Sequence, residues 1–161
     1  MATTTITAEP GVPTIEITRE FRAPATALLR AHTDADLVRQ WLGPRKYRMT
    51  IDRWDCRDGG TYRYAHSDDE GNTYRFHGVF HGDPSIERGI VQTFEFEGAP
   101  GQVALDTLRF EDRGDTTVLH VVSVYQSVEA RDAMISSGME SGLTDAYDRL
   151  DELVEQLDPV S

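Results

Sequence analysis

The sequence predicts an α+β fold in which a seven-stranded, curved antiparallel sheet grips one long C-terminal helix. Three observations carry this expectation. Short segments with period-two alternation follow one another through short polar turns. Two short helical segments interrupt that series after its first strand. A single long amphipathic stretch then closes the chain.

A length of 161 residues suits one domain. Residues 1–13, rich in Thr, Ala and Pro, read as a flexible leader, and residues 14–158 as the domain. The leader has no basic start followed by an apolar stretch, so it does not read as a secretory signal.

The first strand spans Thr14 to Arg22, where Ile15, Ile17 and Arg19 share one face. Pro24 stops it, and Ala25 to Ala31 is rich in good helix formers. Thr33 or Asp34 is placed to cap a second short helix, Ala35 to Trp41, which Gly43-Pro44 ends. Six strand-like segments follow: Tyr47–Trp54, Thr61–His66, Tyr74–His81, Gly89–Glu97, Val103–Phe110 and Thr116–Tyr125. The links between them are short and polar, which implies hairpins and a meander.

Ser127 to Leu157 reads as one helix with Ser127 as its N-cap and Glu129 near the positive end of its dipole. Ile135, Met139, Gly142, Leu143, Ala146, Leu150, Leu153 and Leu157 form its apolar stripe. The sheet is the only partner long enough for that stripe. A bent sheet cannot close flush along a straight helix, so space is expected near the two short helices.

Alternation names the residues expected to face that space. They are Trp41 and Met49, then Tyr62 and Tyr64, then Phe76, Gly78 and Phe80, then Phe94 and Phe96. Met139, Gly142 and Leu143 are expected from the upper part of the long helix. Aromatic rings with a few polar tips suit a pocket for a mostly apolar ligand. The two glycines, Gly138 and Gly142, each cost about 1 kcal/mol of helix stability relative to alanine. A cavity wall would explain that cost.

Charge and motif content narrow the remaining classes. The formal charge of −12 disfavours a general attraction to nucleic acid or anionic lipid. No apolar run approaches the roughly 20 residues of a membrane span, so no stable membrane insertion is expected. The single cysteine, Cys56, precludes an intrachain disulfide and fits a cytoplasmic protein. It reads as a structural thiol. His77 and His81 lie on one strand about 13 Å apart, too far to share an ion. They read as surface residues, and neither a metal site nor a cofactor is expected. No GxSxG elbow and no phosphate-cradling loop occurs. Tyr62, Tyr64, Gln92, Asp106 and Ser123 are the polar candidates for acid–base work, with Asp106 expected to face solvent. No catalytic constellation is visible.

The order of short motifs resembles one bacterial family. It runs Trp41-Leu42-Gly43-Pro44, Asp55-x-Arg57-x-Gly59-Gly60, Phe76-x-Gly78-x-Phe80 and Thr93-Phe94-Glu95. It closes with Gly138-Met139-Glu140-x-Gly142 and Tyr147-Asp148-Arg149-Leu150-Asp151. The family is that of small proteins similar to the C-terminal domain of the activator of the 90-kDa heat-shock protein ATPase. It lies within the START-like (SRPBCC) superfamily, and the resemblance covers about Ile15 to Leu157. It implies the helix-grip fold shared with the birch-pollen allergen, and a pocket for a lipid, sterol or polyketide-like molecule. It leaves open a cyclase- or isomerase-like enzyme and a chaperone-contacting interaction protein. The lack of the activator's separate N-terminal domain counts against chaperone activation. The expected partner is a small hydrophobic molecule, and homodimer formation stays open.

Overall fold

The computed structural model of the chain describes residues 3–157. Residues 1–2 of the expected leader and residue 158, the expected end of the domain, lie outside the described residues. The strands are β1 (Thr5–Thr7), β2 (Thr14–Phe21), β3 (Arg48–Trp54), β4 (Thr61–Ser67), β5 (Thr73–Val79), β6 (Ile90–Phe96), β7 (Val103–Asp112) and β8 (Thr117–Val124). The helices are α1 (Ala25–Thr33), α2 (Ala35–Trp41), α3 (Val128–Ser136) and α4 (Met139–Gln156). Among the described residues the strands form one antiparallel sheet in the order β1-β2-β8-β7-β6-β5-β4-β3. This is the expected helix-grip architecture: the first long strand pairs with the last, and α4 lies across the concave face.

Two expectations are corrected. The sheet has eight strands rather than seven, because Thr5–Thr7, within the segment read as a flexible leader, pairs with Thr18, Ile17 and Glu16 of β2. Arg131 ties the same segment down by donating to the carbonyls of Glu9 and Thr14 at 3.0 and 2.9 Å. Three residues are too few for alternation to announce a strand. Second, the stretch read as one C-terminal helix is two. Gly138 adopts φ +86°, a left-handed conformation that stops α3 and starts α4 in a new direction. Ser136 and Ser137 precede it, and Ser137 Oγ donates back to the Met134 carbonyl at 2.6 Å. Local side-chain bonding of this kind competes with continued helix.

The caps follow the chemistry of their residues. Asp34 accepts from the Asp36 N–H at 3.0 Å to start α2, and Ser127 Oγ accepts from Ala130 at 3.0 Å to start α3.

Curvature has two visible sources. A bulge at Asp52 shifts the β3–β4 register between Ile51 and Arg53, and brings Trp54 opposite Tyr62. The β5–β6 ladder is interrupted at Gly78. A Cβ there would lie 2.0 Å from the Thr93 carbonyl oxygen and 2.6 Å from the Tyr62 ring, so only glycine allows this approach. The Thr93 carbonyl accepts from the Tyr62 hydroxyl at 2.6 Å, and the Val79 N–H donates to the Thr93 hydroxyl at 2.9 Å.

The core sits where α4 meets β2 and β8. Ile15, Phe21, Leu28, Leu119 and Leu150 are fully buried there, with Tyr147 and Val154 beside them. Burying one such side chain is worth about 1.5–3 kcal/mol. Arg19 shares this face of β2. Its guanidinium lies over the Phe21 ring at 4.9 Å and pairs with Asp148 of α4 at 3.2 Å.

Candidate functional site

The concave face of the sheet is a grid fixed by strand register. Tyr64, Phe76 and Phe96 form one cross-strand row on β4, β5 and β6. Phe94 of β6 lies opposite Ala104 of β7. These rows, with α3 and the start of α4 standing over them, enclose an open cleft of about 860 Å3. That volume lies within the range of small-molecule sites.

The sheet side of the cleft is aromatic. Phe76 stacks on Phe94 with ring centres 5.3 Å apart and packs on Phe96 at the same distance. Tyr74, Tyr47 and His66 extend the wall, with Tyr47 stacked on His66 at 5.8 Å. Burial is the main cause that brings His66 down to about 4. Arg149 adds to it and a hydrogen bond to Leu42 opposes it, so the imidazole is neutral at pH 7. The helix side is built from small or flexible residues: Ala130, Ala133, Met134, Gly138, Met139 and Gly142. Lys46 and Asp145 are the charged residues on the lining.

The structure brings five of the twelve expected residues together on this cleft: Phe76, Phe94, Phe96, Met139 and Gly142. The other seven are outside its lining, each for a local reason. Trp41 is buried under α1, donating to the Ala31 carbonyl at 2.8 Å and packing on His32. Met49 pairs with His66 on β3 and packs against the core. Tyr62 reaches across the gap over Gly78, and its hydroxyl is used by Thr93. Tyr64 lies behind Phe76 at 5.2 Å. Phe80 is wedged between Trp54 and Tyr62, at 5.5 and 5.3 Å. Leu143 is partly buried and packs against the core cluster.

Asp106 corrects another expectation. It faces inward, not to solvent. Its neighbours in register are Gln92 and Ser123, and this row continues to the fully buried Ile15. The Ser123 hydroxyl donates to Asp106 Oδ1 at 2.7 Å. Burial pushes the carboxyl up to about 6, and hydrogen bonds from Ser123 and Gln92 hold it from rising further. Burial raises Tyr64, Tyr147 and Tyr125 as well, with the Asp106 charge adding to it, and Tyr125 stands at about 12.

Several lining residues were missed: Tyr125, Ala104, Ala130, Ala133 and Met134. Their signals were present. Tyr125 shares its face with Ser123, and Ala130, Ala133 and Met134 recur at three- and four-residue steps.

Elsewhere, the Cys56 thiol is pushed up to about 11 by burial and by Asp55, while Arg57 is engaged by Asp55 at 2.9 Å. It is therefore not an activated nucleophile. His77 is on the outer face, bonded to Glu97 at 2.9 Å. Among the described residues, no three of His, Cys, Asp and Glu are grouped as metal ligands would be, and no helix is long and apolar enough to cross a membrane.

An antiparallel sheet gripping a C-terminal helix, with an open cleft beside that helix, defines the START-like helix-grip class. Residues 22–155 match the model of the family described as "Activator of Hsp90 ATPase homolog 1-like protein", and the chain belongs to that family. Solved structures share the fold. One is a protein from Arthrobacter aurescens, 21% identical, covering 95% of this chain and 92% of that one with a TM-score of 0.85. Another, from Rhodobacter sphaeroides, is 27% identical, covers 95% of this chain and 100% of that one, and has a TM-score of 0.84. Protein Ms6760 from Mycobacterium smegmatis is 21% identical, with coverages of 98% and 100% and a TM-score of 0.84. No curated protein matches the chain.

Proposed function

We propose that the protein binds a small hydrophobic molecule, lipid-, sterol- or polyketide-like, in the cleft between the sheet and the helices α3 and α4. The observation that carries this reading is the lining itself. Stacked phenylalanines face alanines, glycines and methionines across about 860 Å3. Such a surface gains free energy when an apolar body displaces its water. Aromatic faces confer a preference for flat molecules. Methionine side chains on the opposite wall can adapt to different outlines.

The test is a panel of fatty acids, sterols and aromatic polyketides, read by native mass spectrometry and thermal shift. At least one class is expected to bind at a ratio of one per chain and to raise the melting temperature. Gly142→Leu places a large side chain on the cleft lining and is expected to abolish that binding. A panel with no binder, or binding untouched by Gly142→Leu, contradicts the reading.

A further inference from the structure

One charge on the cleft is unmatched. The turn from α2 into β3 carries three cations, Arg45, Lys46 and Arg48. Arg45 pairs with Asp145 and Glu152 of α4, and Arg48 pairs with Asp69 at 2.6 Å. Lys46, the chain's single lysine, stands between them. Among the described residues no carboxylate lies within 4.0 Å of its ammonium, although the chain has 28 acidic residues. The ammonium instead lies over the Tyr47 ring, 5.1 Å from its centre, and both residues line the cleft. Such a contact is weak where solvent reaches it. The three N–H donors of the ammonium are left for another partner.

The backbone beneath Lys46 is fixed. The Arg45 N–H donates to Asp145 Oδ2 at 2.7 Å, and the Tyr47 N–H donates to the Pro44 carbonyl at 3.1 Å. Arg149 donates to the carbonyls of Gly43 and Gln40, each at 2.7 Å. The same bonds settle the other charge on the lining, because Asp145 is already matched by Arg45. The cleft therefore offers an apolar interior with one unmatched positive charge, held on an exposed residue at its rim. That sign is opposite to the chain's net charge of −12. An anion held at a rim keeps part of its water, so the pair avoids the desolvation that a buried ion pair suffers.

We infer that the ligand of the cleft is an amphiphilic acid, an apolar body ending in a carboxylate, and that Lys46 receives the carboxylate at the rim while the body lies on the phenylalanines. This deepens the cleft-binding reading and rests on it.

The experiment titrates two probes of similar outline, 2-naphthoate and 2-methylnaphthalene, into the wild-type protein, Lys46→Gln and Lys46→Arg at neutral pH. Lys46→Gln removes the charge and keeps most of the stem. It is expected to raise the Kd of 2-naphthoate about fivefold relative to that of 2-methylnaphthalene, the worth of an ion pair open to solvent. Lys46→Arg keeps the charge and is expected to stay within about twofold of the wild-type preference. Raising salt from about 0.01 M to about 0.15 M shortens the screening length from about 30 Å to about 8 Å. The gap between the wild-type protein and Lys46→Gln should narrow accordingly, which a lysine acting only through packing would not produce. An unchanged preference for 2-naphthoate in Lys46→Gln, including equal weakening of both probes, overturns the proposal and leaves the cleft reading standing. So does a gap that salt does not narrow, a Lys46→Arg variant as weak as Lys46→Gln, or a wild-type protein that binds 2-methylnaphthalene alone. Binding of neither probe to the wild-type protein overturns the cleft reading and the proposal together.

Discussion

The two ends of the gripped helix use opposite packing. Toward its C-terminus, α4 presents Tyr147, Leu150 and Val154 to the core, where they are buried together with Phe21, Leu119 and Leu28. Toward its N-terminus, α4 presents Gly142 and Met139, and beyond Gly138 the chain turns away into α3, whose Ala130, Ala133 and Met134 face phenylalanines across open volume. Large residues meet large residues at one end. At the other, small residues face large ones and a helix break holds them apart. The cleft is therefore produced by side-chain size and by one left-handed glycine, within a sheet that continues past both ends.

That contrast can be broken most strongly at the closed end. Leu150→Ala is expected to cost 2–5 kcal/mol, because a fully buried side chain leaves a cavity that the surroundings fill only in part. Met134→Ala, on the half-buried wall of the cleft, is expected to cost less than about 1 kcal/mol. Urea unfolding of both variants measures the difference, and equal losses would erase the distinction.

Titration gives the next largest effect. His32 is buried between Trp41 and Phe110, and its Nδ1–H donates to the Leu28 carbonyl at 2.8 Å. Burial, only partly offset by that bond, lowers it from 6.5 to about 4. The unfolded chain then binds the proton more readily than the folded one. Stability from neutral His32 is full above pH 6.5 and is lost as pH falls toward about 4, on the order of 3 kcal/mol in all. His66 adds loss in the same window. His32→Leu is expected to flatten the fall in unfolding free energy between pH 7 and pH 4.5, and an unchanged slope would place the acid sensitivity elsewhere.

Asp106 has the opposite sign. Its folded pKa of about 6 lies above the ordinary 3.8, so its contribution is most favourable below pH 3.8 and is lost as pH rises through 6. Asp106→Asn keeps the shape and the acceptor for Ser123, and Gln92 can turn its own carbonyl toward the new amide. The variant is expected to be more stable than the wild-type protein at pH 8, by on the order of 1–2 kcal/mol, with the gain absent at pH 4. The smallest effect is expected at Gly142→Leu, whose added Cβ would meet only Pro44 Cγ, at 3.4 Å. Its stability should stay within about 1 kcal/mol, since the gain in helix propensity offsets the strain.

Much of the fold was legible because alternation and helical spacing report burial directly. Thr14–Phe21, Ala35–Trp41 and the six later strands lie within about two residues of their expected bounds. The helix break at Gly138 is masked in the sequence, although a glycine after two serines is a plain stop signal, because the three- and four-residue apolar spacing runs on through Ile135 and Met139. Ile135 is in fact exposed. The site was half legible. Face assignment by alternation put Phe76, Phe94 and Phe96 on the correct side, but a face of the sheet is longer than the cleft, and Tyr62, Tyr64 and Phe80 belong to its filled part. Which part of a face stays open depends on what covers it, and that is decided by residues more than 30 positions away. Asp106 was misplaced for another reason. Its charge outweighed its register, although Ala104, Leu108 and Phe110 on the same face already pointed inward.

The methionine methyls offer the most direct test of a cleft between sheet and helices. Met134 and Met139 line it, and Met49 packs on the core outside it. With methyl-labelled methionine, titration of 2-methylnaphthalene should shift the Met134 and Met139 resonances together to saturation and leave Met49 in place. Shifts at Met49 with Met134 and Met139 unmoved, or no shift at any of the three, would contradict the account.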